Sequence, residues 1–180
     1  MNLAAVTATI AGNAGYRVTN TGAAATLTGS ALNDWLIGGT GNDRLVGGGG
    51  ADQLRGGLGK DVLTGGTGAD WFIFGTVPNA TTNVDTLTDF TSGTDKLQFS
   101  KAIFTGLSGA ALGALGTDAF WSGAGVTSAH DATDRFVYDT TSGKLYYDAD
   151  GQGSVAAVQI ALLGASSHPL LIFGDIQIIA

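Results

Sequence analysis

Five aspartates stand nine residues apart, at Asp34, Asp43, Asp52, Asp61 and Asp70, and a large apolar residue follows each by two, at Leu36, Leu45, Leu54, Leu63 and Phe72. A glycine frame of the same period surrounds them: Gly38, Gly39 and Gly41; Gly47, Gly48 and Gly50; Gly56, Gly57 and Gly59; Gly65, Gly66 and Gly68. Four consecutive units therefore read G-G-x-G-x-D-x-U-x, with U apolar. Nothing else in the chain constrains its fold as strongly. A nine-residue unit cannot bury its own apolar residue, so it must stack on copies of itself.

Each unit divides into a six-residue loop, GGxGxD, and a three-residue strand, xUx. In such a strand the middle side chain points one way and its neighbours the other, so every U residue can face inward. Two units make one coil. Leu36, Leu54 and Phe72 then line one wall and Leu45 and Leu63 the other, with coils ~4.8 Å apart. The loops stack likewise, placing Asp34, Asp52 and Asp70 on one edge and Asp43 and Asp61 on the opposite edge. Carboxylates repeated so closely repel one another, and a hard dication removes that cost. Calcium takes six to eight oxygens from carboxylates and carbonyls at ~2.3 to 2.6 Å. Glycine, free to adopt positive φ, lets a loop turn its carbonyls onto an ion.

This nonapeptide resembles the calcium-binding repeat of the RTX family, whose members leave Gram-negative bacteria through type I secretion machines. The resemblance implies an all-β chain: a right-handed parallel β-roll, several bound calcium ions, and a small β-rich cap after the roll. It also implies that each ion lies between a loop and the loop two units on. Carried onto this chain, the sites fall between Asp34 and Asp52, Asp43 and Asp61, and Asp52 and Asp70, with a fourth candidate where Asp61 meets Asn79.

The period outlasts the motif. Counting back from Leu36 gives Leu27 and Val18, with Ala25 and Tyr16 where the aspartates would stand. Residues 1–28 therefore read as degenerate repeats forming an N-terminal cap, 29–73 as the repeat roll and 74–180 as the C-terminal cap. After Phe72 the glycine frame stops, and residues 78–83 read as a loop. Residues 84–100 alternate apolar and polar around a Ser92-Gly93 turn, the pattern of two strands. A short helix near Ala110–Leu115 is expected, with Phe104, Phe120 and Trp121 as buried anchors. Further on, 135–139 and 144–148 form a hairpin pattern, and 155–164 and 170–179 are further strands.

The C-terminal block resembles the segment that follows the repeats in serralysin-type metalloproteases and other type I substrates. The likeness rests on Asp85-Thr86-Leu87-Thr88-Asp89-Phe90, Gly93-Thr94-Asp95-Lys96-Leu97 and Leu145 to Gly153. Asp85, Asp89 and Asp95 are candidate ligands of a further ion, with a solvated turn cap as the competing reading. Asp148 and Asp150, before Gly151 and Gly153, look like half of an EF-hand loop, with a plain acidic turn as the competing reading. The ending Asp175-Ile176-Gln177-Ile178-Ile179 is similar to the acidic-then-aliphatic close of type I export signals. A terminal strand would look the same.

Composition narrows the function. The net charge of −7 arises from 15 acidic and 8 basic residues, with no basic stripe of the kind nucleic-acid binders use. There is no cysteine, hence no disulfide or thiolate metal site. The first fifteen residues hold no Lys or Arg before a short apolar stretch, a poor Sec-type signal, and no segment is long and apolar enough to span a bilayer. HExxH and G-x-S-x-G are both missing, and His130 and His168 lack recognisable partners.

The expectation is a non-enzymatic, calcium-binding module, secreted or at the cell surface. It would partner the type I secretion machinery and an upstream catalytic or adhesive domain. Two alternatives remain: the tail of a secreted protease, lipase or alginate epimerase, or an adhesin or surface-layer anchor.

Overall fold

A computed structural model describes residues 6–10, 15–164 and 167–180. The parts of the expected N-terminal cap at 1–5 and 11–14 lie outside the described residues. Among the described residues, sixteen strands follow one another. The first eight are β1 (Val6–Ile10), β2 (Tyr16–Asn20), β3 (Thr26–Thr28), β4 (Trp35–Thr40), β5 (Arg44–Gly49), β6 (Gln53–Leu58), β7 (Val62–Thr67) and β8 (Trp71–Phe74). The rest are β9 (Asp85–Leu87), β10 (Lys96–Ser100), β11 (Gly113–Ala114), β12 (Phe120–Gly123), β13 (Phe136–Asp139), β14 (Lys144–Tyr147), β15 (Val158–Leu163) and β16 (Ile176–Ile179).

The strands form two eight-stranded sheets, ordered β1-β2-β4-β6-β8-β10-β16-β11 and β12-β13-β14-β15-β9-β7-β5-β3. Consecutive repeat strands alternate between sheets, so each pairs in parallel with the strand two units away, as in Leu36↔Leu54 and Leu45↔Leu63. The fold is a parallel β-roll with a β-rich C-terminal cap.

The apolar file explains why the stack holds. In one sheet Val18, Leu36, Leu54, Phe72, Leu97 and Ile176 lie in register, and in the other Leu27, Leu45, Leu63, Leu87 and Leu163. All eleven are buried. Removing each from water contributes roughly 1.5 to 3 kcal/mol.

The coil does not stop at Phe72, where the glycine frame does. Strand β9 pairs in parallel with β7, and β10 with β8. The two strands expected around Ser92-Gly93 are thus not hairpin partners but the next two rungs, one in each sheet. Further out, β15 extends the β9 file and β16 the β10 file, so the C-terminal cap is built onto the roll.

Of four further expectations, three meet the structure differently and the hairpin is found as expected. Gly113 and Ala114 form strand β11 where a helix near Ala110–Leu115 was expected; Gly113 has φ +105°, which a helix cannot hold. Phe104 is buried, but Phe120 and Trp121 are only half-buried, because β12 is a sheet edge. The hairpin is present, with Phe136↔Tyr147 to Asp139↔Lys144 paired. The last two strands are shorter than the apolar pattern suggested, beginning at Val158 and Ile176. Among the described residues no helix is long and apolar enough to cross a membrane.

Candidate metal centre

The six-residue loops stack on the two edges, and a side-chain ladder runs down each. The Asp34 N–H donates to Asp52 Oδ1 (2.7 Å), that of Asp52 to Asp70 Oδ1 (2.9 Å) and that of Asp70 to Asp95 Oδ1 (2.9 Å). On the other edge the Ala25 N–H donates to Asp43 Oδ1 (2.7 Å), Asp43 to Asp61 (2.7 Å) and Asp61 to Asp85 (3.1 Å). The Tyr16 N–H donates to Asp34, so Tyr16 and Ala25 occupy the aspartate position of the two degenerate units. Each carboxylate thus spends Oδ1 on tying one coil to the next.

Its second oxygen is free. Oδ2 of Asp43, Asp52, Asp61 and Asp70 is buried and has no hydrogen-bond partner, although the four residues are at most 2 % exposed. No Lys or Arg forms an ion pair with them among the described residues. A buried carboxylate without a partner is costly, and none of the described residues supplies the missing charge.

Glycine makes room beside each of these oxygens. A methyl at Gly47 would stand 2.3 Å from Asp52 Oδ2 and 2.5 Å from the Gly65 carbonyl oxygen; at Gly38 it would meet Gly56 O at 2.5 Å and Asp43 Oδ2 at 2.6 Å. The first glycine of a loop therefore faces its own aspartate and the carbonyl of the loop one coil below. The second serves the backbone: Gly48 has φ +113°, and a side chain there would press on Ser30 O at 2.1 Å.

Buried and mutually repelling, these acids hold their protons too tightly. The Asp43 and Asp52 carboxyls are each pushed up to about 6 from an ordinary 3.8, chiefly by burial, with the Asp61 carboxylate adding at Asp43 and Asp70 and Asp34 at Asp52. Burial raises Asp61, Asp70 and Asp95 as well, and burial together with Asp61 pushes Asp85 well up. An all-oxygen donor set of carboxylates and carbonyls without a counter-charge suits a hard dication, and the residues present fit calcium.

Not every expected ligand sits alike. Asp34 is buried on the same ladder, but the Ser30 N–H and hydroxyl both donate to its Oδ2. Ser30 stands where the other units carry their second glycine, and it fills by hydrogen bonding what they leave open. Asn79 does not stack on Asp61: its Oδ1 accepts from the Thr81 and Thr82 N–H groups, closing its own turn. Asp85 takes the place instead, because the chain runs 24 residues from Asp61 to Asp85 where a repeat coil takes 18.

Asp85, Asp89 and Asp95 do not gather into one site. Asp85 continues one ladder and Asp95 the other, while Asp89 accepts from the Gly65 and Gly66 N–H groups at 2.9 and 2.8 Å. The D-x-U spacing of Asp85-x-Leu87 and Asp95-x-Leu97 was the available signal that these are further coils.

The remaining candidates fall elsewhere. Asp175 is fully buried and accepts from Ser92 Oγ (2.6 Å), the Gly93 N–H (2.8 Å) and, at 3.4 Å, Lys96 Nζ. Ile176 and Ile178 are core residues, and Ile179 is half-buried on the same strand. Asp148 and Asp150 lie in the turn after β14.

His130, Asp131 and Asp134 approach one another, with His130 Nδ1 3.5 Å from Asp131 and 3.9 Å from Asp134. Both carboxylates already accept hydrogen bonds from their own loop, and the Thr133 hydroxyl and N–H hold half-buried Asp131 below the usual range. Asp134 and Asp139 are buried acids that the sequence reading passed over.

A profile described as the RTX calcium-binding nonapeptide repeat, in four copies, matches residues 28–63 and 48–76. Residues 28–76 are RTX repeats. RTX repeats bind calcium in general and are typical of secreted proteins. Outside this segment the likeness is one of fold. The solution structure of the AlgE6R3 subunit of a mannuronan C5-epimerase from Azotobacter vinelandii is 22% identical, with a TM-score of 0.50, over 88% of this chain and 80% of that one. The AlgE6R2 subunit from the same organism is 29% identical, with a TM-score of 0.49, over 86% and 89%. No curated protein matches the chain.

Proposed function

We propose that this chain is a calcium-switched folding module of a secreted protein. The observation that carries the reading is the set of four buried aspartate oxygens without a partner. Asp43, Asp52, Asp61 and Asp70 would hold the ions with the facing carbonyls, and calcium would supply the charge that lets the coils close.

With the ~0.1 to 1 mM affinity usual for extracellular modules, cytosolic calcium leaves such sites empty and millimolar calcium outside fills them. Each site at tenfold excess then adds ~1.4 kcal/mol of stability. The chain would cross the envelope unfolded through a type I exporter and fold on arrival, helping an attached catalytic or adhesive domain to do the same. Asp175, Ile176, Ile178 and Ile179 would be the export signal. Their burial in the folded chain supports this order of events, since a segment packed this way can be read only before folding.

Circular dichroism during a calcium titration, with magnesium as control, tests the switch. The expected result is a cooperative gain of strand signal at millimolar calcium. A chain fully folded in chelator and indifferent to calcium would sink the proposal.

A further inference from the structure

The chain from Gly106 to Ala119 runs beside β16, near the far edge of its sheet, and bounds a cavity of about 580 Å³ that no repeat aspartate lines. Its floor is apolar. Leu107, Leu115 and Ile178 line it, all of them core side chains at most 4 % exposed. Glycine and alanine make most of its walls, and their small side chains leave the space unfilled. An apolar cleft with a few fixed polar groups is the usual construction of a small-molecule site, and pockets of roughly 300 to 1,000 Å³ serve that purpose.

The fixed polar group here is half-buried Arg135, which lines the same cavity. Its Nε donates to the Gly106 carbonyl (3.1 Å), and Nη1 donates to the carbonyls of Ala132 (2.9 Å) and Asp134 (2.7 Å). All three acceptors are neutral, so they hold the guanidinium still without balancing its charge. No acid pairs with it among the described residues, and Nη2 has no acceptor among them. A half-buried cation beside apolar surface gains by meeting an anion, and the planar guanidinium matches a carboxylate.

Asp118 limits which anion fits. It lines the cavity as well, is exposed, and accepts the Thr117 hydroxyl hydrogen at 3.0 Å. Its negative charge leaves room for one anionic group on a ligand and repels a second, which disfavours dicarboxylates and phosphate esters.

The geometry points to a binding site in the cap for a small monocarboxylate with an apolar body. The carboxylate meets Arg135, and the apolar part lies on Leu107, Leu115 and Ile178. This site is separate from the calcium switch, and either stands without the other.

Amide NMR of the full chain at saturating calcium, titrated with octanoate, tests it. Octylamine has the same body with the opposite charge, and octanedioate has a second carboxylate. The expected result is saturable shifts confined to residues 106–119, 133–135 and 178, with octanoate bound about tenfold more tightly than either control. Arg135→Gln should weaken octanoate about tenfold, the scale of one lost charge-assisted contact, and Ala111→Trp should weaken it at least as much by filling the cavity wall. Octanoate that fails to saturate, binds no better than either control, or shifts amides elsewhere overturns the site. Should Arg135→Gln fail to fold, Ala111→Trp and the comparison of the three probes on the unaltered chain decide.

Discussion

The repeat coils and the C-terminal cap use the same strand stack but satisfy their buried acids in opposite ways. In the repeats, Asp43, Asp52, Asp61 and Asp70 each leave one oxygen without a donor. In the cap, Asp139 accepts from Gly125, from the Thr141 N–H and hydroxyl and from Ser142, while Asp175 is held by Ser92, Gly93 and Lys96. Their cores differ too. The coils bury one large apolar residue per unit, aliphatic in all but the last, whereas the cap joins Phe74, Phe99, Phe104, Phe136 and Tyr147 in an aromatic cluster with centroids 4.5 to 5.7 Å apart. On the proposed reading the repeats, which leave four carboxylates open, need a cation to hold at neutral pH, whereas Asp139 and Asp175 in the cap are satisfied by the chain itself.

The largest effect should come from removing calcium. Hydrogen exchange in chelator is expected to strip protection from residues 34–70 first and to leave β13 and β14 the most protected. Simultaneous loss in both regions would break the contrast.

Within the repeats, Asp52→Ala should raise the calcium midpoint about tenfold, the scale of one lost charge-assisted contact. Gly47→Ala should act similarly by filling the space between Asp52 and the Gly65 carbonyl. Asp34→Ala should do less, since Ser30 already satisfies its second oxygen. Equal midpoints for Asp34→Ala and Asp52→Ala would show that the open oxygen is not what binds.

In the cap, Asp175→Ala is expected to cost about 2 kcal/mol in denaturant unfolding at saturating calcium, because it strands the donors of Ser92, Gly93 and Lys96. No loss would mean that the C-terminal strand is held by its isoleucines alone.

The smallest effect is one of pH, and its sign should differ between the regions. A repeat carboxyl raised in the fold stabilises the metal-free coil below 3.8 and loses that contribution as pH climbs through about 6. Protons therefore stand in for calcium. The strand content of metal-free chain should rise from pH 7 to pH 5, and the calcium midpoint should rise with it. Asp139 behaves oppositely. Hydrogen bonds from the Ser142 and Thr141 side chains hold its carboxyl low, so its contribution is present above 3.8 and lost as pH falls. Amide exchange at residues 139–143 should accelerate only below that value. A common sign in both regions would remove the distinction.

Local spacing determined a great deal by itself. The nine-residue register placed Leu36 to Phe72 inside and the five aspartates on two edges, because a three-residue strand between glycine loops has only one way to alternate. The sequence also carried Asp85-x-Leu87 and Asp95-x-Leu97, but loops of irregular length hid them, and only the sheet register showed that they continue the roll. Ser30, four residues before Asp34, closes the Asp34 site locally where the other units carry glycine. Tertiary structure alone decided that Asp52 Oδ1 accepts the Asp34 N–H one coil away and that its Oδ2 is buried, since groups 18 residues apart meet only when the coils stack.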